Sequence, residues 1–187
     1  YVLLFLCCLF ISTVFGLPHL LLVILLVLGT AILFIRLFPG QTLVSVFGRS
    51  FAVIMVANLF LNCLIYPELF KYQSGIPAAA FVNENNYDGP IYTLSEISAE
   101  YAFEFYSKPP VLQMKMSDLE SIKENVNVFT SGAAVDSLRA NGLQVEVIKS
   151  FPHFHITRLT GTFINRNSRD QVIDSFSLIK IHPAKNL

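Results

Sequence analysis

His153 and His155 flank Phe154 in the stretch PHFHITR, and Arg158 closes it. Side chains alternate along a strand, so an extended PHFHITR puts both imidazoles on one face. Two imidazoles beside a guanidinium suit a pyrophosphate or sugar phosphate, which calls for charge-assisted donors, and Arg166 and Arg169 follow close behind in sequence. A solvated edge strand accounts for the same residues. They form neither a zinc site nor a catalytic triad, because the pattern has no third ligand and no paired acid. A second set lies in YPELFKY, where Glu68, Lys71 and Tyr72 could contact a lipid phosphate or simply anchor a helix end. The turn TSGAAVDSL offers backbone amides at a helix start, where an anion can sit, and equally reads as an ordinary strand-to-helix loop. The phosphate-cradling patterns GxxxxGK[ST] and GxGxxG and the GxSxG elbow are absent. Glu96, Glu100, Glu104 and Asp118 fall on solvated helix faces.

The elements that must position these groups divide by solvent. Residues 1–66 carry Arg36 and Arg49 and no acid, while all 13 Asp and Glu follow Tyr66. A bilayer imposes such segregation, because a charge at its centre costs at least about 2.5 kcal/mol. The formal net charge of zero gives no footing for nucleic acid. Cys7, Cys8 and Cys63 all lie in apolar runs, so the polar part has no thiol for a disulfide, and no Cys/His spacing suits a metal. The pattern predicts about three membrane spans. The first, Tyr1 to Phe15, is expected to be a cut helix of a longer protein, since it lacks the basic flank and cleavage site of a signal peptide. The second runs from Leu20 to Phe38 and the third from Phe51 to Tyr66. Arg36 and Arg49 flank the short connection between them, which places that loop in the cytoplasm and everything after Tyr66 outside it. Asn58 and Asn62, four residues apart in the third span, are expected to bond across helices. His19 and Arg49 read as interfacial anchors.

The expected organisation is transmembrane helices over 1–66, a juxtamembrane helix and linker over 67–90, and an extracytoplasmic α/β domain over 91–187. Within the last, strands at Ile91–Leu94, Val111–Met116, Val126–Thr130 and Leu143–Ile148 alternate with helices begun by Ser95, Ser117 and Ala133. Alternation of this kind predicts a mostly parallel sheet. From Phe151 the chain reads as an antiparallel edge strand, and Ser177–Ile181 as the last strand.

In that order the segments YPELFKYQSG, EFYS, SGAAVDSLRANGLQVEVI and FHITRLTGTFINRNSR resemble the C-terminal region of bacterial family 39 glycosyltransferases, of the membrane C-superfamily. This family includes the lipid A aminoarabinose transferase and the protein O-mannosyltransferases. The resemblance implies an enzyme of the inner membrane that moves a sugar from a polyprenyl-phosphate donor to a glycan, lipid or protein acceptor by inverting displacement. It also implies that the catalytic acid sits in an early extracytoplasmic loop that this sequence does not contain, so no catalytic residue is carried over. The need for a divalent metal stays open. A non-enzymatic reading, in which helices anchor an envelope-assembly module, fits the same layout.

Overall fold

Apolar runs fold as helices wherever Gly and Pro leave them uninterrupted, and the computed structural model, which describes residues 2–17, 20–40, 42–94, 101–122 and 124–183, follows that rule at its start. Helix α1 spans Val2–Phe15, α2 Leu20–Leu37 and α3 Leu43–Phe60. Gly16, at φ +77°, ends α1: its amide and that of Leu17 both donate to the Ser12 carbonyl. This is the left-handed cap that favours glycine. Thr42 starts α3 with a reciprocal pair, its Oγ1 accepting from the Ser45 amide while Ser45 Oγ accepts from the Thr42 amide. Arg49 Nη2 donates to the carbonyls of Phe38 and Gly40 just past α2, so its charge serves the chain break.

The expectation of about three spans is corrected to one candidate. From α3 the helix continues through a π turn at Leu61–Ile65 into α4, Tyr66–Phe70, making a 28-residue stretch from Leu43 that contains an 18-residue window of mean hydropathy 1.8. This stretch alone among the described residues is long and apolar enough to cross a membrane. With 14 residues, α1 falls short of the about 20 that a span requires, and the apolar run Leu21–Leu37 is also too short. Asn58 and Asn62 donate to the carbonyls of Ile54 and Asn58 one turn back, so each amide is satisfied on its own helix rather than across two.

Two compact units divide the chain. The first comprises residues 1–70 with 159–172, the second 71–158 with 173–187. In the first, α8 (Gly161–Ile164) and a turn of 3-10 helix at Arg169–Gln171 pack at the end of α1. Arg169 is 8% exposed; its guanidinium lies 4.1 Å from the Phe15 ring centroid and donates to the carbonyls of Phe15, Phe163 and Ile164. Gly161–Ile164, expected to continue a strand, is helical because Thr160 caps α8 and Phe163 must bury its ring edge-on to Phe15, while a short helix or turn is what the sequence predicts over Asn165–Ile173.

The second unit is a five-stranded sheet in the order β2-β1-β3-β5-β4, built from β1 (Ile91–Leu94), β2 (Val111–Met114), β3 (Val126–Ser131), β4 (Gln144–His153) and β5 (Asp174–His182). It is mixed, not mostly parallel: β1 pairs in parallel with β2 and β3, whereas β5 runs antiparallel to both β3 and β4. The reason is topological. No helix of crossover length joins β4 to β5 within this unit, because residues 159–172 belong to the other one, and a parallel return needs such a crossover.

Alternation sets the two faces. Ile91, Phe129, Phe176 and Leu178 pack under α5 (Gly75–Glu84) and α6 (Tyr101–Tyr106), with Phe103 stacked 4.4 Å from Phe129. Leu94, Val128, Ile179 and Ile181 pack under α7 (Gly132–Ala140) and the 3-10 turn Met116–Ser121. A bulge between Val147 and Lys149 lets Ile148 join the first face. The helix expected from Ser117 is thus one 3-10 turn. The Ser95 helix start, with Glu96, Ile97 and Glu100, lies outside the described residues, as does His19.

Replacing Arg169 by Leu orphans the buried carbonyls of Phe15 and Phe163 and the half-buried one of Ile164, at about 1 kcal/mol each. A loss of about 3 kcal/mol is expected in equilibrium unfolding, with Arg169→Lys recovering part of it.

Candidate functional site

Ser74 ends the short exit segment Lys71–Ser74, and its hydroxyl, fully buried, lies 2.9 Å from Nδ1 of His153 at the end of β4. The Phe154 amide donates to the Tyr72 carbonyl at 2.8 Å, fastening the exit segment alongside the chain that leaves β4. Two stretches about eighty residues apart in sequence are thereby held together, and both belong to the second unit. Beyond Phe154 the chain turns, with the Arg158 amide donating to the His155 carbonyl at 2.8 Å and a 3-10 turn at Ile156–Arg158.

The structure therefore gathers Lys71, Tyr72, His153, His155 and Arg158 on two clamped segments, while Glu68 lies in α4 of the first unit. The expectation that both histidines line one strand face holds only in part. The strand stops at His153, which is buried, and His155 lies exposed past its end, though the two rings still meet edge to face at 5.6 Å. Lys71 and Arg158 are exposed too. Arg166 and Arg169, neighbours of this set in sequence, are in the first unit.

His153 also packs 4.5 Å from the Phe176 ring and opposite Asp174 in the β4–β5 ladder. Its burial, and secondarily His155, hold its pKa below the ordinary 6.5, against an opposing pull from Asp174. At neutral pH it is an uncharged ring tied to a hydroxyl. The cationic groups stand on exposed chain around it. Such a cluster can receive an anion at its rim while its centre stays dry. Ser74 and Asp174 escaped the sequence reading, since neither belongs to a pattern; only the antiparallel register brings Asp174 to His153. Among the described residues no three His, Cys, Asp or Glu side chains gather to hold a metal ion.

At the TSGAAV turn Ser131 Oγ accepts from the Ala134 amide and caps α7. Gly132 is required by close approach: a Cβ there would meet Ser175 Oγ at 2.8 Å. Compared with protein-family models, curated proteins and solved structures, the chain matches none of them.

Since His153 has its pKa lowered on folding, the unfolded chain takes up a proton first as pH falls. Its contribution to stability stands in full above about pH 6.5 and is lost as pH drops through the folded-state pKa. His153→Gln, which cannot titrate, is expected to flatten the dependence of the unfolding midpoint on pH below about pH 6.5.

Proposed function

We propose that the chain forms the anchoring and donor-holding portion of a membrane-bound glycosyltransferase. The donor is a sugar on a polyprenyl phosphate and the acceptor a glycan, lipid or protein of the cell envelope. The observation that carries this reading is that one chain joins a 28-residue apolar stretch ending at Phe70 to an α/β unit that follows it in sequence. A lipid-linked donor has the same division. Its polyprenyl chain stays in hydrocarbon, and its phosphate and sugar stand at the interface.

In the transfer, an acceptor oxygen attacks the anomeric carbon, the bond from that carbon to the phosphate oxygen breaks, and the phosphate leaves with the electron pair. Charge builds on the departing phosphate, where preorganised cations lower the barrier most. Lys71 and Arg158, on the two clamped segments beside His155, are the groups we assign to it. The resemblance of YPELFKYQSG and FHITRLTGTFINRNSR to family 39 tails supports the transferase reading and assigns no single residue. The acid or base acting on the acceptor belongs to the family's early loop and is sought outside these residues. We assign the α/β unit to the extracytoplasmic side of the inner membrane, because Arg36 and Arg49, with no acid beside them, lie toward the N-terminal end of the one candidate span among the described residues.

Membranes carrying the whole enzyme with Lys71→Gln and Arg158→Gln are expected to transfer sugar from a labelled polyprenyl-phosphate donor at least about tenfold more slowly, each lost charge-assisted bond being worth about 1.5 kcal/mol or more. Unchanged transfer rules out these two groups. A reporter that works only outside the cytoplasm, fused after Leu187, is expected to be active; an active cytoplasmic reporter at the same site overturns the orientation.

A further inference from the structure

The end of α1 carries an open cavity, its lining about equally polar and apolar, that the donor-holding cluster does not use. It measures about 550 Å³ and is lined chiefly by Ser12, Thr13, Gly16, Asn165, Arg166 and Asn167, all in the first unit. That volume lies in the range of small-molecule sites. Its walls are fixed from several directions. The Arg166 amide donates to the Val14 carbonyl at 3.0 Å, which pins this loop to the last turn of α1. Gly16 brings the backbone so close to the arginine stem that a Cβ there would stand 2.8 Å from Arg166 Cδ. The Asn167 amide donates to Asn165 Oδ1 at 3.0 Å, which engages that oxygen and leaves the Asn165 NH₂ group for a ligand.

The chemistry of the lining is one-sided. Ser12 Oγ and Thr13 Oγ1 donate to the carbonyls of Cys8 and Phe10, so their hydrogens are spent within α1. The remaining donors are the exposed Arg166 guanidinium and the side-chain amides of Asn165 and Asn167. Among the described residues no carboxylate pairs with Arg166. A guanidinium with flanking amides is a set for a planar or tetrahedral oxyanion, and Arg grips phosphate through two parallel bonds. The negative end of the α1 dipole opposes an anion here. Two of its carbonyls are already capped, Val14 by the Arg166 amide and Phe15 by Arg169.

We propose that this cavity is a phosphate-binding site, with Arg166 as its cation and Asn165 and Asn167 as its neutral donors. The phosphate is that of a lipid headgroup or of a water-soluble molecule, and the two arms of the test separate these sources. Assigning that lipid as a polyprenyl phosphate rests on the proposed function; the phosphate site itself stands on the cavity.

The test uses the full chain carrying Lys71→Gln and Arg158→Gln, which removes the cations of the other cluster, in phosphatidylcholine nanodiscs with either polyprenyl phosphate in the disc or inorganic phosphate in the buffer, read by ³¹P line broadening. This parent is expected to bind polyprenyl phosphate, and adding Arg166→Gln to weaken it about tenfold, or about 1.4 kcal/mol. Arg166→Lys falls between, since an ammonium keeps the charge but not the fork. Asn167→Asp, at an exposed position, adds a repelling charge and weakens binding without removing the arginine. Arg139→Gln, at the end of α7, changes nothing. If inorganic phosphate alone binds and depends on Arg166, a water-soluble phosphate is the ligand and the lipid assignment is overturned. If Arg166→Gln and Asn167→Asp both bind as the parent does, the site is overturned. Binding that persists in a chain whose enzyme transfers no sugar sinks the transferase reading and leaves the phosphate site standing.

Discussion

A single desolvated guanidinium decides where residues 159–172 go. Arg169 is 8% exposed and has the Phe15 and Phe163 rings about it. A cation in that position is tolerable only if its hydrogens are met, and the carbonyls of Phe15, Phe163 and Ile164 meet them. The same bonds satisfy a carbonyl that the end of α1 leaves without an intrahelical partner. Helix terminus and buried arginine thus solve each other's problem, and the polar loop that carries the arginine becomes part of the apolar unit.

That attachment has a consequence for the sheet. Having left the second unit after Arg158, the chain returns at Ile173. It re-enters as β5 between β3 and β4, antiparallel to both, where its Phe176 and Leu178 fill one face and its Ile179 and Ile181 the other. The strand that joins β4 to the rest of the sheet is therefore the last in sequence. Its pairing with β3 joins residues about fifty apart in sequence, and a parallel alternative would need a crossover that the excursion does not provide.

Local pattern carried much of this and missed the rest for identifiable reasons. The strands at Ile91, Val111 and Val126, and the helix after Ser131, were legible because apolar alternation and caps are properties of neighbouring residues. The direction of β5 was not, since strand polarity depends on what the intervening segment does, and FHITRLTGTFIN looks extended until Thr160 caps α8 and Phe163 finds Phe15. Counting spans from composition failed similarly: an apolar run shows that a segment avoids water, but its unbroken helical length is set by Gly16 and by the break after α2. Of the candidate site, the residue types were legible and their assembly was not. Lys71, His153 and Arg158 stood out as charged or imidazole side chains, whereas the Ser74–His153 bond and the Phe154–Tyr72 bond that assemble them are tertiary.

Arg166 and Arg169 show why residue type alone cannot assign a role. They are three residues apart, on one loop, with the same side chain. Arg169 has its guanidinium between two phenylalanine rings, committed to carbonyls, and a ligand reaching it would have to displace bonds that hold the loop down. Arg166 is fastened by its backbone amide, so its side chain is not needed for the fold and remains available at the cavity wall. The same separation recurs at the other cluster: His153 is buried, uncharged and bonded to Ser74, while His155 is exposed just beyond the strand. In both places an inner group fixes the backbone and an outer one of like chemistry is left facing solvent. Where an outer group of this kind takes a ligand, the inner one keeps the backbone fixed while the partner changes.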